Sequence, residues 1–555
     1  MQFKKIGFLV VLLILASVLI TVISPVSGQS NDIVRVWVSY QSGRKAEVFQ
    51  ALNLANANLL YDFPKLEAYV VSLPSEALNG IQNNPFVIGV EDDPLRAPIE
   101  PVSMSSKGVY EDTLDITGQT VPWGIDAVQA RDVWDPDRNA VIDEGDPSGE
   151  GVKVCIIDTG YYADHEDLKD VADGVTGMSQ VDDDWTRDGY GHGSHVAGTI
   201  GALNNGLGVV GVSPGAVDFH IVKIFDDNGA WVSQAHASDL VEAIYNCQDN
   251  GANVISMSLS GESSNAKEEM AFNELYDDGI LHVAAAGNHQ LEDPGALHYP
   301  ASYSSVISVA AIDSDLVVAD FSAQNTPIEL AAPGVGVLST IPYLETNTVS
   351  VDGTNYNVNH VEFSAYGSVN GNLVNGGLCT SMGSWTGMVV LCSRGEISFY
   401  DKVMNVQNSG GVAAIIYNNV PNEDLYATLG EGNTSDIVAV STSLETGETL
   451  LTKVGLPTTI TSIIDKPASG YEAWGGTSMA TPHVAGVAAL IWSYDLNWTN
   501  VEIRDALDQT AQDLGESGRD IAYGFGLVKA ANALDLLADD WSHLKNQFFL
   551  PLVSK

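Results

Sequence analysis

Three short motifs, far apart in the chain, carry a carboxylate, an imidazole and a hydroxyl. Asp158 closes the apolar run VKVCIID (152–158) and precedes Thr159-Gly160. His192 lies in GHGSHVAGTIGAL (191–203) and Ser478 in GGTSMATPHVAGVAAL (475–490). A serine hydroxyl is a weak nucleophile at neutral pH; it needs a base within hydrogen-bond reach, and that base needs an orienting group. These residue types form that set, and the chemistry they suit is attack on an acyl carbonyl. Small residues around His192 and Ser478 open helices and leave both side chains uncrowded. The amides and dipole at the start of the Ser478 helix favour the negative charge that develops during acyl transfer.

The elements that must hold these residues alternate from Gln119 to about Pro342. The runs 152–158, 219–225, 252–259, 279–287 and 306–312 read as short apolar strands. Helical patterns at 192–203 and 233–249 lie between them. Near-continuous apolar strands spaced by helices predict an α/β fold with a parallel sheet covered on both faces, three layers in all. Asp158 then ends a strand at the C-terminal edge of the sheet, where sites gather in such folds. The same texture returns at 477–492 and 500–511. Between the blocks, residues 343–465 are Asn- and Gly-rich and strand-dominated, and read as an insertion. Residues 31–94 read as a small α+β unit: strand 33–40, helix 45–57, strand 68–73, short helix 74–83 and strand 86–91. The stretch 98–118 has no periodicity and reads as a linker.

DTG at Asp158, HGSHVAGT at His192 and GTSMATPHVAG at Ser478 resemble the three signature motifs of subtilisin-like serine proteases, in that family's Asp, His, Ser order. The resemblance implies a zymogen endopeptidase acting on proteins and peptides. Residues 119–342 and 466–540 would form its catalytic domain. Residues 29–97 resemble an inhibitor-type propeptide with a ferredoxin-like fold, which acts as intramolecular chaperone and inhibitor. The segment 387–419 resembles the protease-associated domain of large subtilases, with no cluster suited to chemistry. The competing readings are a binding protein on an inactive protease scaffold and an esterase of the α/β-hydrolase type. The first sits poorly with a complete triad. The second needs His after Ser in the chain, whereas His192 precedes Ser478.

The resemblance also assigns supporting residues. Asn288, after the strand ending AAAG, corresponds to the oxyanion donor. Ser258, Leu259, Ser260, Gly261 and Ala285, Ala286, Gly287 correspond to the two segments lining the first specificity pocket. Ser260 replaces a usual Gly, and His298 falls where small residues floor the pocket, which predicts a shortened or polar pocket. Gln119, Asp167, Leu203, Asn205, Leu207 and Val209 correspond to a calcium site; no organic cofactor is implied. His195 would point elsewhere on its helix and be structural. From spacing alone, Asp135, Asp137, Asn139, Asp143 and Asp146 approach an EF-hand-like loop, with Ala140 in place of the turn Gly and a solvated acidic loop as the alternative. The four cysteines allow the pairs Cys379–Cys392 and Cys155–Cys247, with free buried thiols as the alternative.

Composition bounds the partners and the compartment. The chain has 555 residues, 24 Lys plus Arg and 71 Asp plus Glu, for a net charge of -47. That balance excludes a phosphate backbone as partner, because nucleic acid needs a basic face. Most of the acidity must be solvated surface. Lys4 and Lys5, the apolar run 6–23 and the small residues before Gly28 read as a signal peptide over 1–28, with an uncleaved anchor as the alternative. Export to the extracellular space as a soluble monomer follows, with the tail 541–555 unassigned.

Overall fold

The computed structural model describes residues 32–102, 112–182, 184–227, 234–343, 345–430, 432–464 and 470–538. The signal-peptide reading (1–28), the linker over 103–111 and the tail (541–555) fall outside the described residues. Contacts divide the chain into two compact units, with the boundary between Asp92 and Asp93.

The first unit is a four-stranded antiparallel sheet with the helices Lys45–Leu54 and Leu78–Gln82. Its strands lie in the order Asn58–Phe63, Ala68–Pro74, Ile33–Tyr40, Val87–Asp92. Val36, Val38, Val48, Leu52, Val71 and Leu73 meet in its core. The strand Asn58–Phe63 is absent from the sequence reading, which ran the first helix on to residue 57. The helix stops at Leu54, and Asn56 turns the chain with φ +54°. An edge strand that is mostly exposed shows no apolar alternation, so it leaves little signal.

In the second unit, seven parallel strands form the sheet that carries the site. Their order is Ile328–Pro333, Val306–Ile312, Leu281–Ala285, Val254–Met257, Lys153–Asp158, Asp218–Lys223, Thr176–Ser179. The side chains of Val154, Ile156, Phe219, Ile221, Leu281, Val283, Ile307 and Val309 are fully buried, as double-sided cover requires. The run 252–259 divides into two strands, Val254–Met257 in the sheet and Leu259–Ser260 outside it. The helix Thr477–Trp492 is buried along its whole length and packs on this sheet through Ala480, Val484, Val487 and Leu490. Its small residues permit close approach: a Cβ on Gly486 would come within 2.8 Å of Val212 Cβ.

The insertion makes a separate eight-stranded sheet from Glu345–Val351 to Pro457–Ile464. Its neck is a two-stranded ribbon in which Val337–Thr340 pairs antiparallel with Tyr471–Trp474. The ribbon returns the chain to the catalytic sheet directly ahead of Ser478. The cysteines form the disulfides Cys155–Cys247, with Cα atoms 5.7 Å apart, and Cys379–Cys392, 5.6 Å apart.

Candidate active site

Two helix starts and one strand end position the three residues of the expected triad; Asp158 and His192 are hydrogen-bonded, while His192 Nε2 and Ser478 Oγ make no bond to each other. Asp158 ends its strand; His192 and Ser478 sit in the first turns of the helices His192–Gly201 and Thr477–Trp492. His192 Nδ1 lies 2.7 Å from Asp158 Oδ1, and the Thr159 amide donates to the same oxygen at 2.8 Å. The His192 helix reaches this close because of glycine: a Cβ on Gly193 would sit 2.1 Å from the Gly160 carbonyl. Burial alone would lower the imidazole pKa, but the charge and hydrogen bond of Asp158 outweigh it and hold the pKa raised. His192 Nε2 and Asp158 Oδ2 are buried with no hydrogen-bond partner.

Ser478 Oγ points at two carbonyls, Ser258 O and Ile99 O, each at 3.4 Å. Pro482 has no amide hydrogen, which frees the Ser478 carbonyl four residues earlier from helical bonding. Ser258 Oγ donates to that freed carbonyl at 2.8 Å. Asn288 Oδ1 accepts from the Thr477 amide at 2.9 Å and from Thr477 Oγ1 at 3.0 Å. These bonds fix the amide so that Nδ2 faces the site, where it donates to Glu100 O at 3.1 Å.

Residues 95–102 of the chain itself run through the cleft, a segment for which the sequence reading found no element. Leu95–Pro98 is a strand flanked antiparallel by Ala235–His236 and by Leu259–Ser260, with Ser260 opposite Ala97 and Leu259 opposite Pro98. The Ile99 amide donates to Ser258 O at 3.4 Å, and Val102 donates to Gly475 O at 2.7 Å. Gly261 admits the strand, since a Cβ there would lie 2.2 Å from Leu95 O. On the other pocket segment, His298 packs beneath Gly287, buried, with both ring nitrogens unpartnered and its ring stacked on His289.

Asp188 and Trp474 are further site residues absent from the sequence reading. Fully buried, Asp188 accepts from Thr159 Oγ1, the Gly191 and Ser194 amides and Ser194 Oγ, all at 2.7–2.8 Å. It ties the Asp158 turn to the His192 helix; an acidic residue four positions before His192 was the available signal. Trp474 stacks on His195 with centroids 4.6 Å apart, and its ring lies 6.3 Å from that of His192. His195 Nε2 meets the carbonyls of Val337 at 3.0 Å and Glu472 at 3.1 Å, a structural placement. Burial lowers its pKa to about 3.

The helix from His192 ends at Gly201, and Ala202 turns extended, so the loop 203–209 follows the helix rather than lying inside it. The carbonyls of Leu203, Leu207 and Val209 converge within 2.6–2.8 Å of Gln119 Nε2, with Asn205 Oδ1 at 3.5 Å. Asp167 Oδ2 accepts from the Val209 amide at 2.8 Å, while Asp167 Oδ1 is buried without a partner. In the 135–146 loop, Asp135 and Asp137 accept from the Asn139 amide at 2.8 and 3.2 Å. Arg138 and Ala140, at φ +59° and +61°, make the turn without a glycine. Among the described residues no three or more His, Cys, Asp or Glu side chains are gathered to hold a metal. Asp135, Asp137 and Asp143 nonetheless lie close enough to Asp146 for their charges, with burial, to raise its pKa to about 6.

A serine hydroxyl, a carboxylate-oriented imidazole and an amide donor beside a paired strand are the parts of a serine-type hydrolase site. The family model described as Subtilase family matches residues 149–526. The chain belongs to the subtilase family. It is 41% identical over 251 residues to Subtilisin DY of Bacillus licheniformis, covering 44% of this chain and 84% of that protein. It is 37% identical over 417 residues to Subtilisin Savinase of Lederbergia lenta, covering 75% and 99%. The fold is shared with fervidolysin of Fervidobacterium pennivorans at TM-score 0.58 and 23% identity, covering 91% of this chain and 61% of that one.

Proposed function

We propose that this endopeptidase is exported as a zymogen, cleaves its own chain between Ile99 and Glu100, and then hydrolyses other proteins by the same acyl transfer. The carrying observation is the Ile99 carbonyl 3.4 Å from Ser478 Oγ, on a strand already paired into the cleft. The neighbouring Glu100–Pro101 bond is the poorer candidate, because its leaving nitrogen belongs to a proline ring. The order of strands and helices in residues 32–92, strand-helix-strand-strand-helix-strand, supports an inhibitor-type ferredoxin-like propeptide. Among the described residues no helix is long and apolar enough to cross a membrane.

In the reaction, Ser478 Oγ attacks the carbonyl carbon as His192 Nε2 takes its proton. Asp158 holds the imidazole tautomer, and Asn288 Nδ2, which donates to the Glu100 carbonyl before reaction, shifts to the oxyanion forming on the Ile99 carbonyl. The carbon–nitrogen bond breaks as His192 returns the proton to the leaving amine. Water, deprotonated by the same imidazole, then releases the acyl group. Ser258 and Leu259, Ser260 and Gly261 hold the substrate strand on one side; Ala285, Ala286 and Gly287 line the pocket beyond, narrowed by His298.

The oxygens around Gln119 fit calcium: three carbonyls and the Asn205 side chain converge on its amide, and Asp167, bonded to the Val209 amide, keeps one buried carboxylate oxygen unpartnered. Gln119, Asp167, Asn205 and the carbonyls of Leu203, Leu207 and Val209 would hold it. Bound there, it would cross-link the segment before the first helix to the loop after His192, without taking part in the chemistry. The inserted sheet reads as a protease-associated domain serving recognition. Its Tyr426 lies under the Arg187 guanidinium, 4.3 Å from the ring centroid.

Expression of the full chain and of Ser478→Ala tests the reading. The wild type should yield a mature enzyme whose first cut starts at Glu100, and should hydrolyse casein. Ser478→Ala should stay uncut and lose about 10^6-fold in turnover, the loss known for a subtilisin without its serine. A Ser478→Ala protein that still matures alone, or still cleaves casein, would overturn it.

A further inference from the structure

The cleft strand carries a side chain that an apolar pocket would not accept. Arg96 and Glu268 are both 0% exposed. Arg96 Nε donates to Glu268 Oε1 at 2.9 Å and its Nη2 to Glu268 Oε2, a two-pronged pair. Two further donors are used: Nη1 on Leu95 O at 2.8 Å and Nη2 on Ser263 O at 3.1 Å. Tyr303 OH donates to Glu268 Oε2 at 2.6 Å, filling the carboxylate's remaining side. Glu268 is itself fixed in the first turn of the helix Ala266–Asp277, whose cap Asn265 accepts from the Glu268 amide at 3.0 Å.

The position of Arg96 along the cleft gives the pocket its meaning. Counting back from Ile99, whose carbonyl faces Ser478, Arg96 is the fourth residue on the acyl side of the bond. Antiparallel pairing of Ala97 with Ser260 sets this register, and the neighbouring Ala97 is only partly buried while Arg96 is enclosed. A planar guanidinium meeting a carboxylate in two parallel bonds is selective in geometry as well as charge. With another side chain in place of Arg96, the Glu268 carboxylate would be left buried and unpaired, which costs far more than the pair itself gains.

We propose that Glu268 is a specificity-determining residue: the enzyme selects polypeptides with arginine at the fourth position before the cleaved bond, both in its own precursor and in substrates. This rests on the endopeptidase reading and on Ile99 facing the nucleophile. Tyr303 is its positioning partner, holding the carboxylate in the plane that the guanidinium meets.

The test uses matured enzyme and the peptides acetyl-X-Ala-Pro-Ile-aminomethylcoumarin, with X = Arg, Lys, Leu, Ala or Glu. Arg should exceed Leu and Ala by about 100-fold in kcat/KM, with Lys between and Glu last. In Glu268→Leu the Leu peptide should overtake the Arg peptide, and Glu268→Gln should cut the Arg preference at constant side-chain size. Where Glu268→Leu fails to fold, as read by circular dichroism, Glu268→Gln decides. In the precursor, Arg96→Leu should slow self-cleavage, and Arg96→Leu with Glu268→Leu should restore it. A flat profile across X, with casein still cleaved, overturns the specificity alone. An arginine preference that survives both Glu268 variants overturns it as well. If neither casein nor any peptide is cut, the endopeptidase reading itself has failed.

Discussion

The two ends of the cleft handle buried charge in opposite ways. At the catalytic end, Asp158 Oδ2 and His192 Nε2 are buried with no hydrogen-bond partner. At the Arg96 end, Glu268 and Arg96 are equally buried, yet both are tied into mutual and neighbouring bonds. Unpaired polar atoms in an interior are costly, so each calls for an explanation. In the proposed mechanism the catalytic end leaves His192 Nε2 open for the proton it takes from Ser478. The recognition end closes its bonds in the ground state, so it discriminates rather than reacts.

If the open end acts through charge and tautomer, Asp158→Asn should be drastic although it changes almost no volume. A loss of about 10^4-fold in kcat, with the fold retained, is expected from single-turnover assays. A loss under tenfold would mean that the carboxylate does no more than fill space. Asn288→Leu removes the oxyanion donor together with the two bonds that Asn288 Oδ1 accepts from Thr477, and its cost should be smaller, about 100- to 1,000-fold in kcat with KM little changed. A change confined to KM would move Asn288 from the catalytic end to substrate binding.

The pH profile sharpens the same contrast. Burial depresses the His192 pKa, but the larger combined pull of Asp158 raises it above its ordinary 6.5. Catalysis needs the neutral imidazole, so activity is lost as pH falls through the raised value. The acid limb of kcat/KM should therefore centre above pH 6.5; a limb below that value would show that Asp158 does not control the imidazole. The smallest effect concerns neither end. Chelation with EDTA should lower Tm by roughly 10 °C, the scale expected for a tightly held ion in a domain of this size. Gln119→Ala should make the melting curve insensitive to EDTA.

How much of this was legible differs from residue to residue. Asp158, His192 and Ser478 stand in contiguous motifs whose small neighbours let helices and strands approach, so type and order exposed them; Asn288 was visible only through the family resemblance. The oxygen cage around Gln119 was readable through the loop that supplies its carbonyls. Asp188 was not, because a lone acidic residue in a loop looks like solvated surface until its four donors are in place. Glu268 was still less visible. In sequence it is one of two adjacent glutamates near the start of an amphipathic helix, with Arg96 lying 172 residues earlier. The edge strands Asn58–Phe63 and Thr176–Ser179 escaped because short, incompletely buried strands carry little apolar alternation.

The sequence by itself determined the parallel sheet, the motifs that put Asp158, His192 and Ser478 at strand and helix ends, and the strand-rich stretch between the two blocks. These follow from local patterns: apolar runs, helix-opening small residues and turn glycines. Only the tertiary structure decided that residues 95–102 fill the cleft, that Trp474 closes over the histidines from the far side of the insertion, and that Glu268 meets Arg96. Each of those is a pairing between segments distant in the chain. A buried ion pair or strand pairing has no local signature; it is stable only after the surrounding fold has removed water from both partners.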